Sequence, residues 1–281
     1  MVIDETLVEA LVADAFPAWA HLPVRAVVPG GHDNRTFRLG DELVVRLPSA
    51  ERYAAAVAKE QRWLPRLAEA LPLPIPVPVA AGAPTVAYPW PWSVNRWLPG
   101  RTMTWDRVDD PARFAHDLAD ALLALHRAPT AGAPLAGAHN FHRGGDLAVY
   151  EGEAREAIDR LDTADAAWAA ALWDRARRSR WNRDPVWVHG DVAPGNLLVA
   201  EGRLSAVIDF GGCGVGDPAS DLVGAWTFFD AAGAADFAAR LRLDRDTWDR
   251  AAGWALWKAL KSLGDEDDAA HRATLRRLRS A

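Results

Sequence analysis

The sequence is poor in cysteine and has no long uncharged apolar run. Cys213 is the one cysteine among 281 residues, so no internal disulfide can form and a reducing compartment is indicated. No uncharged apolar run approaches the roughly 18 residues that a membrane-spanning helix needs. The N-terminal segment has early acidic residues and no basic start before an apolar run, unlike a signal peptide. We therefore expect a cytoplasmic protein with no membrane partner.

The sequence also lacks the excess of basic residues that is typical of nucleic-acid binding. Its formal net charge is −6, so a nucleic-acid partner is not expected. It has no Gly-x-Ser-x-Gly nucleophile motif, and His139 and His142 lack a third ligand at suitable spacing for zinc. Half of the residues are apolar, and the length suits one large domain or two lobes with a substantial core.

The most informative segment is a set of short strands and turns between residues 186 and 211. Strands are predicted at Val186–Val188, at Leu197–Val199 and, after a Glu201-Gly202 turn, at Leu204–Ile208. This arrangement places Asp191 and Asn196 in one tight loop, and it places Asp209 where the returning strand ends.

Two carboxylates and one amide oxygen in this pattern indicate a magnesium-nucleotide site. Phosphoryl transfer needs a carboxylate that orients the acceptor hydroxyl and takes its proton, and it needs ligands that fix the metal between the phosphates. Asp191 is the candidate base, Asn196 the neutral ligand and Asp209 the charged ligand, and these hard oxygen ligands suit Mg²⁺ rather than Zn²⁺. The structural alternative is that Asp191 and Asn196 only cap loops and that Asp209 only ends a strand.

The segment resembles the catalytic and metal-binding loops of the aminoglycoside phosphotransferase family, which are small-molecule relatives of the protein kinases. The resemblance is carried by His189-Gly190-Asp191, by Asn196 and by Asp209-Phe210-Gly211, and it extends over nearly the whole chain. It implies a phosphotransferase that uses Mg²⁺ and ATP or GTP.

The same resemblance implies roles for the residues of these loops. Asp191 would be the catalytic base, and Asn196 and Asp209 would bind Mg²⁺. His189 would brace the loop, Asp217 would cap a helix, and Asp221 would support the catalytic loop from below. The cap at Asp217 is also predicted by the Asp217-Pro218 sequence itself.

The resemblance also implies an α+β, bilobal protein-kinase-like fold. A small N-terminal lobe, residues 1–96, would hold an antiparallel sheet and a helix, and a larger, mainly helical lobe would span residues 97–281. The strand-like segment Trp92–Leu98 would be the hinge, with backbone at Asn95, Arg96 and Trp97 meeting the adenine.

An N-terminal glycine pair is the candidate phosphate loop. Residues 29–34 form a predicted turn between two strands, and a glycine there lets backbone amides approach phosphate oxygens. The resemblance implies that Gly31, Asn34 and Thr36 contact the nucleotide. The alternative is an ordinary hairpin turn.

Arg46 stands on the predicted third strand, where kinase-like enzymes place a lysine paired with a helix glutamate. Glu60 on the following helix is the expected partner, and Lys59 is a competing cation that would point about 100 degrees aside. Arginine keeps the charge but has a different donor geometry. The alternative is that Arg46 and Glu60 form a purely structural ion pair.

The acceptor is less well defined by the sequence. The gap Phe210–Gly216 has no Ser, Thr or Tyr, so neither a protein substrate nor activation-loop phosphorylation is expected. Three hypotheses remain: phosphorylation of an aminoglycoside-type antibiotic, of a metabolite such as a sugar, amino alcohol or choline-like compound, or nucleotide binding without transfer. Trp97, Trp226 or Trp254 could line an acceptor pocket, and the acidic cluster at residues 265–268 is either a solvated helix start or an attractor of polycations.

Overall fold

The computed structural model describes residues 2–28, 30–264 and 268–280, and it shows an α+β chain. The chain divides into two compact units. The first unit comprises Met1–Pro99 and Ala206–Gly211, and the second comprises Gly100–Ser205 and Gly212–Ala281. The lobe boundary that we predicted between residues 96 and 97 stays a prediction. In the described ranges, no helix is both long and apolar enough to cross a membrane.

The first unit is built on a five-stranded antiparallel sheet with the strand order β1-β2-β3-β5-β4. Its elements in chain order are α1 (Glu5–Ala15), β1 (Val24–Ala26), β2 (Asn34–Leu39), β3 (Leu43–Pro48), α2 (Glu51–Ala70), β4 (Pro78–Gly82) and β5 (Trp92–Arg96). The predicted strands and the helix after residue 50 are confirmed, with small shifts at their ends.

The two faces of this sheet carry different side chains because successive residues of a strand point to opposite faces. One face is apolar and belongs to a buried cluster with α1; it includes Phe37, Val45 and Val94, which are in register across β2, β3 and β5. The opposite face is polar at the same strands, where Thr36 lies opposite Arg46 and Arg46 lies opposite Ser93. The alternation therefore presents Arg46 away from the apolar cluster.

The proline-rich segment at residues 72–78 is extended. Residues 71–77 form neither helix nor strand, and β4 begins at Pro78 as an edge strand. Proline has no amide hydrogen to donate, so it is tolerated at the edge of a sheet and disfavours helix, although Pro65 does stand inside α2.

The second unit is mainly helical and contains two small sheets. Its elements are β6 (Arg101–Thr102), α3 (Pro111–Arg127), α4 (Glu151–Asp159), α5 (Thr163–Arg177), β7 (Val186–Val188), β8 (Leu197–Ala200), β9 (Arg203–Val207), β10 (Gly214–Gly216), α6 (Gly224–Thr227), α7 (Ala231–Leu241), α8 (Arg245–Lys261) and α9 (Asp268–Ser280). Strand β10 pairs with β7, and β6, β8 and β9 form the other sheet. The last residues of β9 belong to the first unit.

Helix boundaries follow the capping residues of the sequence. Asp110 accepts a hydrogen bond from Arg113 N at 2.9 Å, and Pro111 occupies the first position of α3, as predicted. Asp217 caps in the same way by accepting from Ala219 N at 3.1 Å. Asp217 was expected to cap a helix, and the element that it caps is a buried 3₁₀ turn, Pro218–Asp221, followed by the four-residue α6.

The acidic cluster of the sequence is described only at its end. Residues 265–267 lie outside the described residues, and α9 begins at Asp268. Asp268 accepts from Gly264 N at 3.0 Å and pairs with Arg272, which fits a helix start.

Candidate active site

The catalytic loop follows β7 and depends on a glycine. Gly190 has a φ of +82°, a left-handed conformation that side chains other than glycine rarely adopt. A Cβ at this position would clash with the carbonyl oxygen of Gly212 and would lie 2.9 Å from the Cβ of Arg143. The backbone at Gly190 therefore passes close to two neighbouring segments of the second unit.

Asp221 holds the start of this loop from below. Its carboxylate accepts hydrogen bonds from His189 N at 2.8 Å and from Gly190 N at 2.7 Å, and the Asp221 side chain is fully buried. His189 is also fully buried, and its ring Nδ1 accepts from Asp191 N at 3.2 Å. Nε2 of His126 lies 3.7 Å from Asp221, beyond hydrogen-bond distance. The loop is thus fixed at successive backbone amides before it reaches the Asp191 side chain.

Asp191 and Asn196 are brought together within this loop. Asn196 Nδ2 donates to the Asp191 carbonyl oxygen at 2.9 Å and to the Asp191 carboxylate at 3.0 Å. These two bonds use the amide nitrogen of Asn196 and leave its amide oxygen as the group available to a cation. The other carboxylate oxygen of Asp191 accepts from Lys258 Nζ at 2.8 Å.

The pKa of Asp191 is the result of opposing effects. Burial acts to raise the pKa of this carboxyl, but the nearby Lys258 ammonium and its hydrogen bond, together with His189 and Arg143, hold the pKa below its ordinary value. The side chain is 44% exposed, so a small molecule can reach it. Asp191 is therefore an ionised, accessible carboxylate at neutral pH.

Asp209 lies in the first unit at the end of the returning strand β9, with a φ of +62°. One of its carboxylate oxygens accepts from Arg46 NH2 at 2.9 Å, and Arg46 NH1 donates to Glu60 at 3.0 Å. The Arg46 and Glu60 side chains are buried, whereas that of Asp209 is 37% exposed. Arg46 therefore joins the Glu60 of α2 to the exposed carboxylate of Asp209.

The pKa values of Arg46 and Glu60 are both raised, which favours the charged form of Arg46 and the neutral form of Glu60. Burial acts to lower the pKa of Arg46, but the two carboxylates outweigh it and hold the pKa above its ordinary value. Burial raises the pKa of Glu60 against the opposing effect of Arg46. Lys59 Nζ donates to the Gly211 carbonyl oxygen at 2.8 Å, and its charge also opposes the rise in the Glu60 pKa. Arg46 donates hydrogen bonds to both carboxylates of the trio.

The candidate phosphate loop lies at one end of β2. Asn34 begins β2, and Thr36 lies opposite Arg46 on β3, on the polar face of the sheet. The carbonyl oxygen of Gly31 accepts from Arg35 NH1 at 2.7 Å, and Ser49 bonds to the carbonyl oxygens of His32 and Asp33. The loop is exposed at Gly31 and is tied to the end of β3.

The predicted base-contacting segment has part of its backbone already in use. Arg96 N donates to Val77 O at 3.2 Å, and Trp97 N donates to Glu42 O at 2.7 Å. Asn95 is fully buried on the same side of β5 as Ser93, and neither polar atom of its side chain has a hydrogen-bond partner among the described residues. The Asn95 amide is therefore the side-chain group of this segment with unused hydrogen-bonding capacity.

Other candidates from the sequence have structural surroundings. Asp217 forms a buried ion pair with Arg250 at 2.7 Å; burial raises the pKa of Asp217, and Arg250 opposes that rise. The three tryptophans considered for an acceptor pocket differ: Trp97 stacks under Arg38, Trp226 packs against Trp248, and Trp254 is buried in α8. Cys213 is buried and is not in a disulfide.

The oxygen groups present fit a hard divalent cation better than zinc. Among residues 2–28, 30–264 and 268–280, no group of three or more His, Cys, Asp or Glu side chains is arranged to hold a metal ion. Carboxylate and amide oxygens are the ligand types that Mg²⁺ accepts.

Two residues close to Asp191 were missed by the sequence analysis. Lys258 pairs with Asp191 although it lies 67 positions further along the sequence, and Arg143 approaches Gly190. A signal was present for Lys258, since α8 is buried over most of its length and yet carries a lysine between Trp257 and Ala259. A lysine within such a helix indicates a specific partner. Arg143 had no comparable signal.

Comparison with known proteins identifies the family to which these features correspond. A family model described as "Phosphotransferase enzyme family" matches residues 25–254. Among curated proteins, the aminoglycoside 3'-phosphotransferase of Escherichia coli is 35% identical over 71 residues, which are 25% of this chain and 26% of that protein. The chain thus aligns with about a quarter of this curated relative.

Solved structures show the same fold over nearly the whole chain. The GDP complex of wild-type aminoglycoside 2'-phosphotransferase-IIIa has a TM-score of 0.76 at 19% identity, and the match covers 99% of this chain and 98% of that one. The apoenzyme of macrolide 2'-phosphotransferase from Brachybacterium faecium has a TM-score of 0.63 at 20% identity, with 97% and 99% covered. The predicted α+β, protein-kinase-like fold is confirmed.

Proposed function

The chain belongs to the phosphotransferase enzyme family, and we propose that it transfers the γ-phosphoryl group of ATP or GTP to a hydroxyl of a small molecule with Asp191 as the base. The observation that supports this proposal most directly is the state of Asp191. It is ionised, 44% exposed and held by hydrogen bonds from Asn196 and Lys258 on a loop braced by Asp221. A carboxylate fixed in this way suits the orientation of an acceptor hydroxyl.

The proton of the acceptor hydroxyl is the group on which Asp191 acts. As the acceptor oxygen attacks phosphorus, its O–H bond breaks and the Asp191 carboxylate takes the proton, while the nucleoside diphosphate leaves. A carboxylate with a low pKa is a weak base, so its contribution rests on orientation of the hydroxyl and on late proton transfer. Asn196 and Lys258 hold the two carboxylate oxygens and thereby limit rotation of the side chain.

The nucleotide-binding residues proposed for the first unit follow from its polar sheet face. Arg46 would contact phosphate oxygens and is oriented by Glu60. Gly31, Asn34 and Thr36 would lie along the phosphates, and Asn95, Arg96 and Trp97 would lie along the base. These two sets of residues are proposals that rest on the family pattern and on their positions in strands β2 and β5.

Mg²⁺ is the metal that we propose for this chemistry. The Asn196 amide oxygen and the Asp209 carboxylate would be its protein ligands, and a bound Mg²⁺ would neutralise charge on the phosphate oxygens. The exposed side of Asp209 supports this assignment, because one oxygen is held by Arg46 and the side chain remains 37% exposed. Nucleotide binding without transfer is disfavoured by the intact arrangement of Asp191 and Asn196.

Two acceptor classes follow from different observations. The relatives named as aminoglycoside and macrolide phosphotransferases support an antibiotic acceptor, with an aminoglycoside as the first candidate. A metabolite acceptor is the second candidate, and it is favoured by the Lys258–Asp191 ion pair. A polycationic antibiotic would have to approach the base beside that ammonium group.

The experiment is a phosphorylation panel. The protein would be incubated with Mg-ATP or Mg-GTP and with aminoglycosides, a macrolide, sugars, amino alcohols and hydroxy acids, and nucleoside diphosphate release and phosphorylated product would be measured. We expect acceptor-dependent turnover that Asp191→Ala lowers by roughly 10² to 10⁴ fold. Turnover that survives this substitution would show that Asp191 is not the base.

A further inference from the structure

Helix α8 brings a cation directly to the proposed catalytic base. The helix is buried along most of its length, but the Lys258 side chain is 32% exposed and its Nζ donates to Asp191 Oδ1 at 2.8 Å. An ammonium group has three N–H donors, so this bond leaves donors for a second anion next to the carboxylate. An acceptor hydroxyl that reaches Oδ1 of Asp191 therefore also comes close to Lys258 Nζ.

Arg143 is a second cation beside the same loop, and its guanidinium has unused donors. Its Cβ is close to Gly190, and Arg143 acts on the Asp191 carboxylate through its charge. The guanidinium donates no hydrogen bond to any residue that the structure describes and forms no ion pair with one. Burial lowers the pKa of Arg143, yet arginine stays protonated at neutral pH. A partly buried guanidinium without a carboxylate partner is a costly group unless a ligand binds it.

The aromatic surface at this place is already occupied by cations of the chain itself. The Arg143 guanidinium lies 4.7 Å from the ring centre of Trp257 and 5.5 Å from that of Trp254. Lys261 lies 5.1 Å from the Trp257 ring centre, and Tyr150 stacks on Trp257 at 4.0 Å. A choline-like or other cationic ligand would need these ring faces free. The aromatic groups therefore favour an acceptor that is not cationic.

The charges around the base lead to the same conclusion. Lys258, Arg143 and Lys261 are positive, whereas Asp191 and Glu153 are negative. Asp191 is neutralised by Lys258, and the Glu153 carboxylate accepts from the Trp257 indole at 3.2 Å. These five side chains together carry a net positive charge next to Asp191, where the acceptor hydroxyl would bind.

We propose that the acceptor carries an anionic group, a carboxylate or a phosphate, which Arg143 and Lys258 bind next to the hydroxyl that is phosphorylated. This inference rests on the proposed function. In the transfer, the acceptor O–H bond breaks and its proton passes to Asp191, a bond forms between the acceptor oxygen and the γ-phosphorus, and the nucleoside diphosphate leaves with the electrons of the broken P–O bond. A hydroxy acid or a sugar acid has the required chemistry, and a polycation does not.

The test compares ligand pairs that differ in charge at similar shape. Binding of gluconate and glucitol, of glycerate and glycerol, and of kanamycin would be measured by calorimetry or ligand-observed NMR. We expect each acid to bind the wild-type protein more tightly than its neutral partner by roughly tenfold to 100-fold, the range for charge-assisted hydrogen bonds. Arg143→Met should remove most of that preference, and Arg143→Lys should keep part of it because the charge remains.

A matched control separates local binding from net charge. Arg245→Met removes the same charge from the exposed first turn of α8, where the side chain is 87% exposed, and it should leave the preference unchanged. Circular dichroism and thermal unfolding would show that each variant folds. Equal binding of acids and neutral partners, tighter binding of kanamycin, or a preference that survives Arg143→Met would each overturn the anion site.

Failure of the proposed function would give a different result. The binding measurement needs no nucleotide and no turnover. If the acids bind with the expected response to Arg143→Met but the panel shows no phosphate transfer to any acceptor, the anion site stands and phosphotransferase activity does not. If transfer occurs to kanamycin and not to the acids, the activity stands and the acceptor class proposed here is wrong.

Discussion

At the scale of single residues, the most informative side chains are those whose polar atoms either all have hydrogen-bond partners or have none. Both carboxylate oxygens of Asp191 accept hydrogen bonds, one from Asn196 and one from Lys258. The amide of Asn95, by contrast, is fully buried without a partner among the described residues. The first pattern indicates a fixed orientation, and the second indicates a group that a ligand would satisfy.

Replacement of Lys258 by Met should move the acid limb of the pH–activity profile to higher pH. Lys258 helps to hold the pKa of Asp191 below its ordinary value, so its removal lets that pKa rise and Asp191 becomes protonated at a pH where the wild-type residue is still ionised. The ion pair contributes stability above the unfolded pKa of about 3.9 and loses it as pH falls through the lower folded pKa.

The control for this prediction is Lys261→Met, one turn further along α8. Lys261 lies over Trp257 and does not appear among the groups that act on the Asp191 pKa. The Lys258–Asp191 ion pair is partly exposed, so the loss of unfolding free energy in Lys258→Met should stay within about 1 kcal/mol. An acid limb that stays in place in Lys258→Met would contradict the assigned role.

Replacement of Asn95 by Leu should raise stability and weaken nucleotide binding. Leu has a similar volume and removes a buried amide without partners, which costs about 1–3 kcal/mol when unsatisfied. The free energy of unfolding would be measured in urea, and the affinity for ATP and GTP by calorimetry.

Asn140→Leu is the matched control because Asn140 is also fully buried. Its amide makes hydrogen bonds to Gly137 N, Arg143 O and Gly212 O, so this substitution should lower stability. If Asn95→Leu is more stable but binds both nucleotides as the wild type does, the Asn95 side chain does not contact the base.

At the scale of secondary-structure elements, the predictions succeeded where local sequence determines the element. Residues 36–39 of β2 and 92–95 of β5 alternate apolar and polar side chains, and Asp110-Pro111 marks the start of α3 by local capping. The element that begins after Asp217 is the 3₁₀ turn Pro218–Asp221, and local sequence did not distinguish this turn from the start of an α-helix. Asp221 in this turn reaches the amides of the catalytic loop.

The buried pair that anchors this turn to α8 gives a stability prediction. Arg250→Met leaves the Asp217 carboxyl buried without its partner, since both side chains are less than a tenth exposed. We expect a loss of about 3–5 kcal/mol in unfolding free energy, and Asp217→Asn combined with Arg250→Met should recover part of it because the isolated charge is gone.

The pH dependence of that variant follows from the Asp217 pKa. Burial raises it, and Arg250 opposes that rise, so Arg250→Met raises it further. A folded pKa above the unfolded value means that stability is lost as pH rises through this range. The deficit of Arg250→Met should therefore be smaller at acidic pH than at neutral pH in urea unfolding. A pH-independent deficit would show that Asp217 is not the group involved.

At the scale of the whole molecule, fold and acceptor differ in how far the sequence predicts them. The catalytic motifs implied the protein-kinase-like fold, and the match to solved structures over nearly the whole chain confirms it. The surroundings of Asp191 could not be predicted because Lys258 and Arg143 come from distant parts of the sequence. Motifs indicate which reaction a fold performs, whereas packing decides which charges meet the acceptor.

The role of Asp209 gives a prediction for the stability of the whole chain. A nucleotide that binds only the folded protein raises its stability by about 2.7 kcal/mol at 100 times its Kd. For wild type, the rise in Tm with ATP should be larger with Mg²⁺ than with chelator. Asp209→Asn should remove this difference, since the metal loses its charged ligand.

Asp14→Asn on the exposed side of α1 makes the same chemical change away from the site and should keep the magnesium dependence. Asp209 also pairs with Arg46, so the comparison between Mg²⁺ and chelator within each variant isolates the metal contribution. An undiminished magnesium effect in Asp209→Asn would assign the ion to other ligands.

The most direct measurement is single-turnover transfer of a radiolabelled γ-phosphate from Mg-ATP or Mg-GTP to an acceptor found in the panel, with wild type and Asp191→Asn side by side. Asn keeps the shape of the side chain and removes its ability to take a proton. If Asp191 is the base, we expect Asp191→Asn to bind nucleotide as the wild type does and to form labelled product roughly 10² to 10⁴ fold more slowly. Equal rates of product formation in the two proteins would contradict the role of Asp191 as the base.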